Sequence, residues 1–278
     1  MPVASVTEKD FTPRVALLFH GLENWVFYTQ YARGFRAPPF EDANIGLDIP
    51  LFGFRAIPNP ELKSETSDGF ELGARRVASG SRFSLALFHT DYDDFIETRA
   101  LIGVDEATGD LIFQSRNIGR ARIYGLDVRY DQDLGAWNDA LQGWSFRAAA
   151  YWAEGENRDS RQALNSIAPP QAVLGVAWQS ADGRVDAGIN TTLTAAKHEK
   201  DIDQTDGARF RTPGWAVIDL TAGWHPNDRL ELRAGVFNLG DETYWRWLDV
   251  ANRAADDPMI GLLARPGRSC SVTARFSY

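Results

Sequence analysis

The sequence predicts an all-β fold, an antiparallel transmembrane β-barrel with about eleven strands. Three observations support this prediction: segments of alternating polarity recur along the chain, connections alternate between short and long, and aromatic residues gather near segment ends. Side chains of a strand point to alternate faces, so each such segment has one apolar face and one polar face. A membrane barrel needs this division, because its outside meets lipid and its interior is polar.

The alternation is clearest in residues 229–238 and 270–278. In the first segment the apolar side chains are Leu230, Leu232, Ala234 and Val236, and Glu231 and Arg233 occupy the opposite face. Several segments exceed the five or six residues that are usual for globular strands. We predict strands near residues 12–20, 24–34, 66–77, 82–98, 112–133, 143–156, 168–180, 183–197, 210–225, 229–240 and 267–278.

Connection lengths divide into two classes. Short turns are predicted at residues 20–24, 78–81, 180–183 and 225–228, with a somewhat longer one at 135–143. Long polar loops are predicted near residues 35–65, 99–111, 157–167, 198–209 and 241–266. Short turns at one end and long loops at the other are typical of outer-membrane barrels, whose long loops are extracellular.

Aromatic residues are abundant, with nine Trp, eight Tyr and sixteen Phe. Those near strand ends are candidates for the aromatic girdles that flank the apolar band of a membrane barrel. The alternative is that they form the core of a large soluble β protein. The candidates are Trp25, Tyr31, Trp144, Trp152, Trp215, Trp224, Tyr244, Trp245 and Trp247.

Charge and composition exclude several function classes. A net charge of −9 argues against a nucleic-acid partner, which requires a surplus of Lys and Arg. Cys270 is the single cysteine, so neither an intramolecular disulfide nor a cysteine zinc site is expected. No apolar run approaches the roughly 18 residues of a membrane helix. No catalytic motif is present, so we expect neither an enzyme nor a resident metal.

Several motifs resemble the barrel of TonB-dependent outer-membrane receptors, and within them the haem/haemoglobin receptor branch. They cover nearly the whole chain in the order of that family. The motifs are YTQYARGFRAP at residues 28–38, NPELKSET at 59–66, NIGRARIYGL at 117–126, GVFNLGDETYW at 235–245 and RPGR at 265–268.

The resemblance implies that residues 1–278 are the C-terminal half of a 22-stranded plugged barrel. Such a receptor lies in the bacterial outer membrane, contacts its lipid, and engages the TonB complex through an N-terminal plug. We recognise neither a plug nor a signal peptide in this sequence. We therefore expect a fragment or split-gene product that does not transport alone. The alternatives are a relic without activity, or ten or twelve strands that close into a small pore.

Two sequence boxes carry the resemblance to the haem branch and frame the predicted loop at 35–65. The loop itself, at residues 39–58, contains neither His nor Tyr. His198 in another long loop is the candidate haem-iron ligand, because haem iron takes an axial donor such as imidazole. Arg36 and Pro38 either brace the loop or contact ligand, and His198 is otherwise a solvated loop residue. The box residues are Phe35, Arg36, Ala37, Pro38, Asn59, Pro60, Glu61 and Leu62.

The resemblance implies uptake of haem or another iron-bearing ligand, with haem as transported ligand and no permanently bound cofactor. The partner at the surface is then haem, a haem-carrying protein or a siderophore. One alternative is a receptor for a siderophore or other nutrient. Another, from a different class, is a soluble β-rich protein that binds a ligand through the loop at 35–65.

Overall fold

The computed structural model describes residues 9–205 and 207–277. Thirteen strands and two short helices are found in this part of the chain. In chain order the elements are β1 (Arg14–Leu22), β2 (Trp25–Arg36), α1 (Phe40–Asn44), β3 (Leu47–Ile49), β4 (Phe54–Ala56), β5 (Glu65–Ala78), β6 (Ser81–Val104), β7 (Leu111–Asp133), β8 (Trp144–Asn157), β9 (Gln171–Gln179), β10 (Val185–Thr194), β11 (Trp215–Asn227), β12 (Leu230–Phe237), α2 (Trp247–Val250) and β13 (Ser269–Phe276).

All of these strands belong to one sheet. Eleven of them follow one another antiparallel, in the order β1-β2-β5-β6-β7-β8-β9-β10-β11-β12-β13. These are the eleven strands predicted from the alternation of polarity, and their positions are confirmed. The last predicted strand included Tyr278, which lies outside the described residues, as do the first eight residues of the chain.

Two further strands, β3 and β4, lie inside the predicted loop at 35–65. They pair with each other, and β4 also pairs in parallel with the outer end of β7, where Phe54 lies opposite Leu111. Each has only three residues, too few for a period-two pattern to appear in the sequence. The predicted loop at 99–111 is shorter in the structure, because β6 continues to Val104.

Strand register places apolar side chains on one face of the wall and polar side chains on the other. Between β10 and β11, Ile189 lies opposite Leu220, and the next pair is Asn190 with Asp219. Ile189 is 40% exposed, because no second layer covers the apolar face. A soluble sandwich would bury this face against another sheet. The outward apolar face therefore suits contact with lipid.

Buried residues concentrate at the loop end of the molecule rather than along the wall. Among the described residues, the side chains of Leu62, Leu164, Ile202, Trp247 and Val250 are nearly inaccessible, and all five lie in long connections or the short helix α2. None of the described helices is long and apolar enough to cross a membrane.

The sheet is not closed. Within the described residues, β1 pairs only with β2 and β13 pairs only with β12. Both edge strands run towards the end that carries the short turns, because nine strands separate them in an antiparallel order. The wall is thus a partial barrel with two free edges.

Candidate ligand-binding face

The long connections all lie at one end of the wall and form its candidate ligand-binding face. They comprise residues 37–64, 105–110, 158–170, 195–214 and 238–268. The short turns lie at the opposite end, for example at residues 79–80 between β5 and β6. The alternation of connection lengths predicted from the sequence is confirmed.

The first box, residues 35–38, ends strand β2. Arg36 lies opposite Glu65 of β5, and its guanidinium nitrogen is 3.9 Å from a Glu65 carboxylate oxygen. Glu65 is buried and accepts a 2.7 Å hydrogen bond from the Ile96 backbone N–H. Pro38 is buried, whereas Ala37 is exposed. The box holds the start of the loop against β5 and β6.

The second box, residues 59–62, fixes the other end of the same loop. The Asn59 amide donates to the Ser115 carbonyl at 3.0 Å and accepts from the Glu61 N–H at 3.1 Å. Leu62 is 6% exposed, while Pro60 and Glu61 face solvent. The Asn59 side chain thus joins its own loop to strand β7 and satisfies a backbone N–H that the loop leaves unpaired. Both boxes therefore brace the base of the loop, and their contact with a ligand stays a prediction.

His198 lies apart from the two boxes, in the loop 195–214. Its side chain is exposed, immediately before a single 3₁₀ turn at Glu199–Asp201. It lines an open cleft of about 390 Å³ between the loops 158–170 and 195–214, and no box residue lines that cleft. The sequence-predicted site residues thus occupy two separate places on the loop face.

A cluster of residues from three long loops, which the sequence did not predict, joins these loops to one another. We call Asn165, Lys197, Ile202, Asp203 and Trp247 the loop cluster. The Trp247 indole N–H donates to the Asn165 carbonyl at 2.7 Å, and the Asn165 side chain exchanges hydrogen bonds with the Asp203 backbone at 2.8 and 3.1 Å. Ile202 packs with Trp247. The three loops are therefore joined by contacts of all five residues.

Lys197 is the charged member of the loop cluster. Its ammonium donates to the Ile167 carbonyl at 2.8 Å and lies 5.0 Å from the centroid of the Trp247 ring. The residue is only 6% exposed, and this burial lowers the pKa of the Lys197 ammonium. A cation held over an aromatic face is stabilised by the ring quadrupole.

Trp247 corrects one sequence prediction. The residue was a candidate for the aromatic girdle, but it is 3% exposed and packs among loops rather than towards lipid. Trp245 also lies in this region, where its indole donates to the Ile260 carbonyl at 2.8 Å. A Trp in a long polar loop is itself a signal of a local core, because few loop residues bury so much apolar surface.

The inner face of the wall carries paired charges. Arg147 of β8 binds Asp131 of β7 at 2.7 Å, and these two residues lie opposite each other in the register. Arg275 of β13 lies 3.5 Å from Glu231 of β12. Charged and polar residues on the inner face match the polar interior of a large membrane barrel.

The amino-acid sequence of the chain matches a known protein family. Residues 2–239 match the family described as TonB dependent receptor-like, beta-barrel. The chain belongs to this family. The family barrel accounts for the eleven-stranded wall, and the resemblance noted in the sequence motifs is confirmed.

Curated relatives of this receptor barrel carry names that refer to haemoglobin. The chain is 29% identical over 247 residues to the hemoglobin and hemoglobin-haptoglobin-binding protein of Haemophilus ducreyi, covering 78% of the chain and 25% of the relative. It is 26% identical over 280 residues to hemoglobin and hemoglobin-haptoglobin-binding protein A of Haemophilus influenzae, covering 92% and 26%. The chain thus spans about a quarter of these relatives.

Several solved structures share the fold of this receptor barrel. The copper transporter OprC superposes with a TM-score of 0.73 at 18% identity, covering 95% of this chain and 39% of that one. A mutant of the ferric enterobactin receptor PfeA from Pseudomonas aeruginosa, in complex with enterobactin, gives 0.72 at 21%, covering 97% and 41%. The partial coverage agrees with an open sheet of eleven wall strands.

Proposed function

We propose that this chain forms the C-terminal part of the barrel of an outer-membrane TonB-dependent receptor that takes up haem or another iron-bearing ligand. The observation that carries the proposal is the single open wall with its apolar face outward, in a chain whose curated relatives are named for haemoglobin. The role is binding and transport rather than catalysis.

The two free edges support a wall that is completed by further strands. In hydrocarbon an unpaired backbone N–H or C=O costs several kcal/mol, so open edges are not tolerated. Direct closure would bring β1 against β13, and both strands run the same way. An all-antiparallel closure therefore needs an odd number of additional strands, which gives an even total, as in bacterial single-chain barrels.

The polar inner face supports a plug inside the completed barrel. Pairs such as Arg147 with Asp131 face the interior, where a plug domain would meet them. The plug would also receive the mechanical input from TonB. This chain contributes eleven strands of the wall and five loops, and the remainder of the receptor contributes the other strands and the plug.

The loop face supplies the proposed ligand contacts. The two boxes, residues 35–38 and 59–62, hold one loop in place, and His198 presents an exposed imidazole at the edge of the cleft. Imidazole is an axial donor for haem iron. Haem is here a transported cargo rather than a resident cofactor, and His198 is the proposed donor.

Sequencing the DNA directly upstream is the first test, and it should reveal a plug and a signal peptide, in frame or in a separate gene. The receptor assembled from both parts is then titrated with haemin, and the Soret band should shift at micromolar haemin. His198→Ala should weaken that shift, whereas Arg211→Ala, which is exposed on the same loop but lies outside the cleft, should not.

Three results would count against the proposal. An absent upstream half would remove the proposed receptor. Growth on a ferric siderophore but not on haem as sole iron source would make the haem assignment wrong. A monodisperse, soluble monomer obtained without detergent would favour the soluble β-rich alternative.

A further inference from the structure

The outermost point of the loop 37–64 carries large apolar side chains in solvent. We call Leu47, Leu51 and Phe52 the apolar tip; they lie on β3 and on the 3₁₀ turn between β3 and β4. Leu51 is 86% exposed and Phe52 is 52% exposed. A group of exposed large apolar side chains on a polar loop is a feature of interaction sites.

The apolar tip is held in place rather than free to fold inward. Gly53 closes the turn at φ 56°, and its carbonyl accepts a 2.8 Å hydrogen bond from the Leu111 N–H. Phe54 stacks on Phe113 with ring centroids 4.8 Å apart. A surface fixed in this way loses little conformational entropy when a partner binds.

The position of the apolar tip puts it beyond the membrane part of the wall. Strand β6 pairs with β5 only as far as Asp93, and its remaining residues pair with β7. At about 3.3 Å per residue, these two strands project roughly 30 Å past β5. The apolar tip sits on their outer end, through the pairing of β4 with residues 111–113.

The surroundings of the apolar tip are acidic. Residues 40–56 and 105–110 contain six carboxylates and a single basic residue, Arg55. Arg55 is already paired with Asp105 at 3.1 Å. The surplus of negative charge around the apolar tip repels small anionic ligands, among them the propionates of haem. It attracts a protein surface that carries Lys and Arg.

We propose that the apolar tip is the docking surface for a protein that carries the iron-bearing ligand, with an apolar contact area bordered by basic residues. The inference rests on the proposed function and names the partner class at its loop face. The loop has neither His nor Tyr between residues 39 and 58, so it offers no imidazole or phenolate to iron. The apolar tip would therefore recognise the carrier and leave the iron to other residues.

Binding of labelled haemoglobin to cells that display the assembled receptor tests this inference. The double substitution Leu51→Ser with Phe52→Ser should weaken binding tenfold or more, since exposed aromatic and aliphatic anchors dominate protein interfaces. Asp48→Lys should weaken haemoglobin binding as well, and raised salt should weaken haemoglobin binding by the wild-type receptor. The matched control is Leu248→Ser with Leu262→Ser, which are 63% and 77% exposed on a different loop and should leave binding unchanged.

Uptake of free haemin by the same variants separates this inference from the proposed function. Loss of haemoglobin binding with unchanged haemin uptake would support docking at the apolar tip and show that the variants fold. Unchanged haemoglobin binding by the variant with Leu51→Ser and Phe52→Ser would overturn the docking role. A wild type that takes up haemin but binds no haemoglobin would also overturn it, and the proposed function would stand. A wild-type receptor that neither binds haemoglobin nor takes up haemin would overturn the proposed function and the docking role together.

Discussion

The Trp247 indole N–H donates to the Asn165 carbonyl at 2.7 Å, although 82 residues separate the two in sequence. This hydrogen bond links the loop 158–170 to the loop 238–268 above the wall. Trp247 is 3% exposed and also packs on Ile202 of a third loop. The indole therefore holds three loops of the ligand-binding face in one arrangement.

Trp247→Ala should release these loops. Removing a buried Trp from a packed site costs about 3 kcal/mol, because both contact area and a hydrogen bond are lost. Hydrogen exchange of the backbone amides in residues 158–170 and 195–205 should quicken. Leu248→Ala, at an exposed neighbour, is the control and should leave exchange unchanged. Equal protection in both variants would show that the loops do not depend on Trp247.

The stability of the loop cluster should depend on pH through the titration of Lys197. Burial lowers the folded-state pKa of Lys197 below its unfolded value, because the desolvation of the ammonium outweighs its favourable contacts with the Trp247 ring and the Ile167 carbonyl. Stability should therefore rise as the pH passes upward through the folded pKa towards the ordinary lysine range. Fluorescence of Trp247 in the assembled receptor, taken as the difference from a Trp247→Phe variant, should titrate below that range. The titration should vanish in Lys197→Met, and its persistence there would assign it to another group.

The bracing of the loop 37–64 predicts an effect of Asn59→Ala. The substitution leaves the Ser115 carbonyl without its side-chain donor and the Glu61 N–H without its acceptor. A lost side-chain hydrogen bond of this kind costs about 1–2 kcal/mol. Protease cleavage within residues 40–56 should become faster than in the wild type. Glu61→Ala, which keeps both hydrogen bonds, should be cleaved at the wild-type rate; equal cleavage of the two variants would contradict the bracing role.

Gly73 lies beneath the ring of Tyr28, and a Cβ added at this position would clash with that ring. Gly73→Ala should push the ring aside and break the 2.6 Å hydrogen bond from the Tyr28 hydroxyl to Glu71. Overpacking of this kind costs about 2 kcal/mol. Unfolding measurements in detergent should show this lower stability. Adding Tyr28→Ala to Gly73→Ala should restore part of the lost stability. Gly103→Ala is the control, because no atom beyond its own chain neighbours lies within 4 Å of its Cβ position. Similar stability of the two alanine variants would refute the close contact.

The wall could be predicted from the sequence because its determinants are local. Alternation such as Leu230, Glu231 and Leu232 fixes which face each residue takes, whatever its distant neighbours are. Strands β3 and β4 were missed because three residues carry no period, and their stability comes from pairing with residues 111–113. The loop cluster was missed for a similar reason, since its contacts span tens of residues.

The candidate site was predicted in part. The resemblance to the receptor family placed the two boxes at the ends of one loop, and the structure ends β2 at Arg36 and begins β5 at Glu65 beside them. The exposed position of His198 followed from its polar loop. The sequence did not show that the boxes and His198 occupy separate places, because that depends on the order of strands around the wall.

Lipid contact of Ile189, compared with its neighbour Asn190, tests the central claim most directly. Two variants, Ile189→Cys and Asn190→Cys, are each made in a Cys270→Ser background. The introduced cysteine is labelled with a fluorophore, and the assembled receptor is reconstituted in bilayers. Quenchers attached to lipid tails should quench the label at Ile189 strongly and the label at Asn190 weakly, because strand β10 turns these side chains to opposite faces. Equal quenching, or stronger quenching at Asn190, would contradict a wall whose apolar face meets lipid.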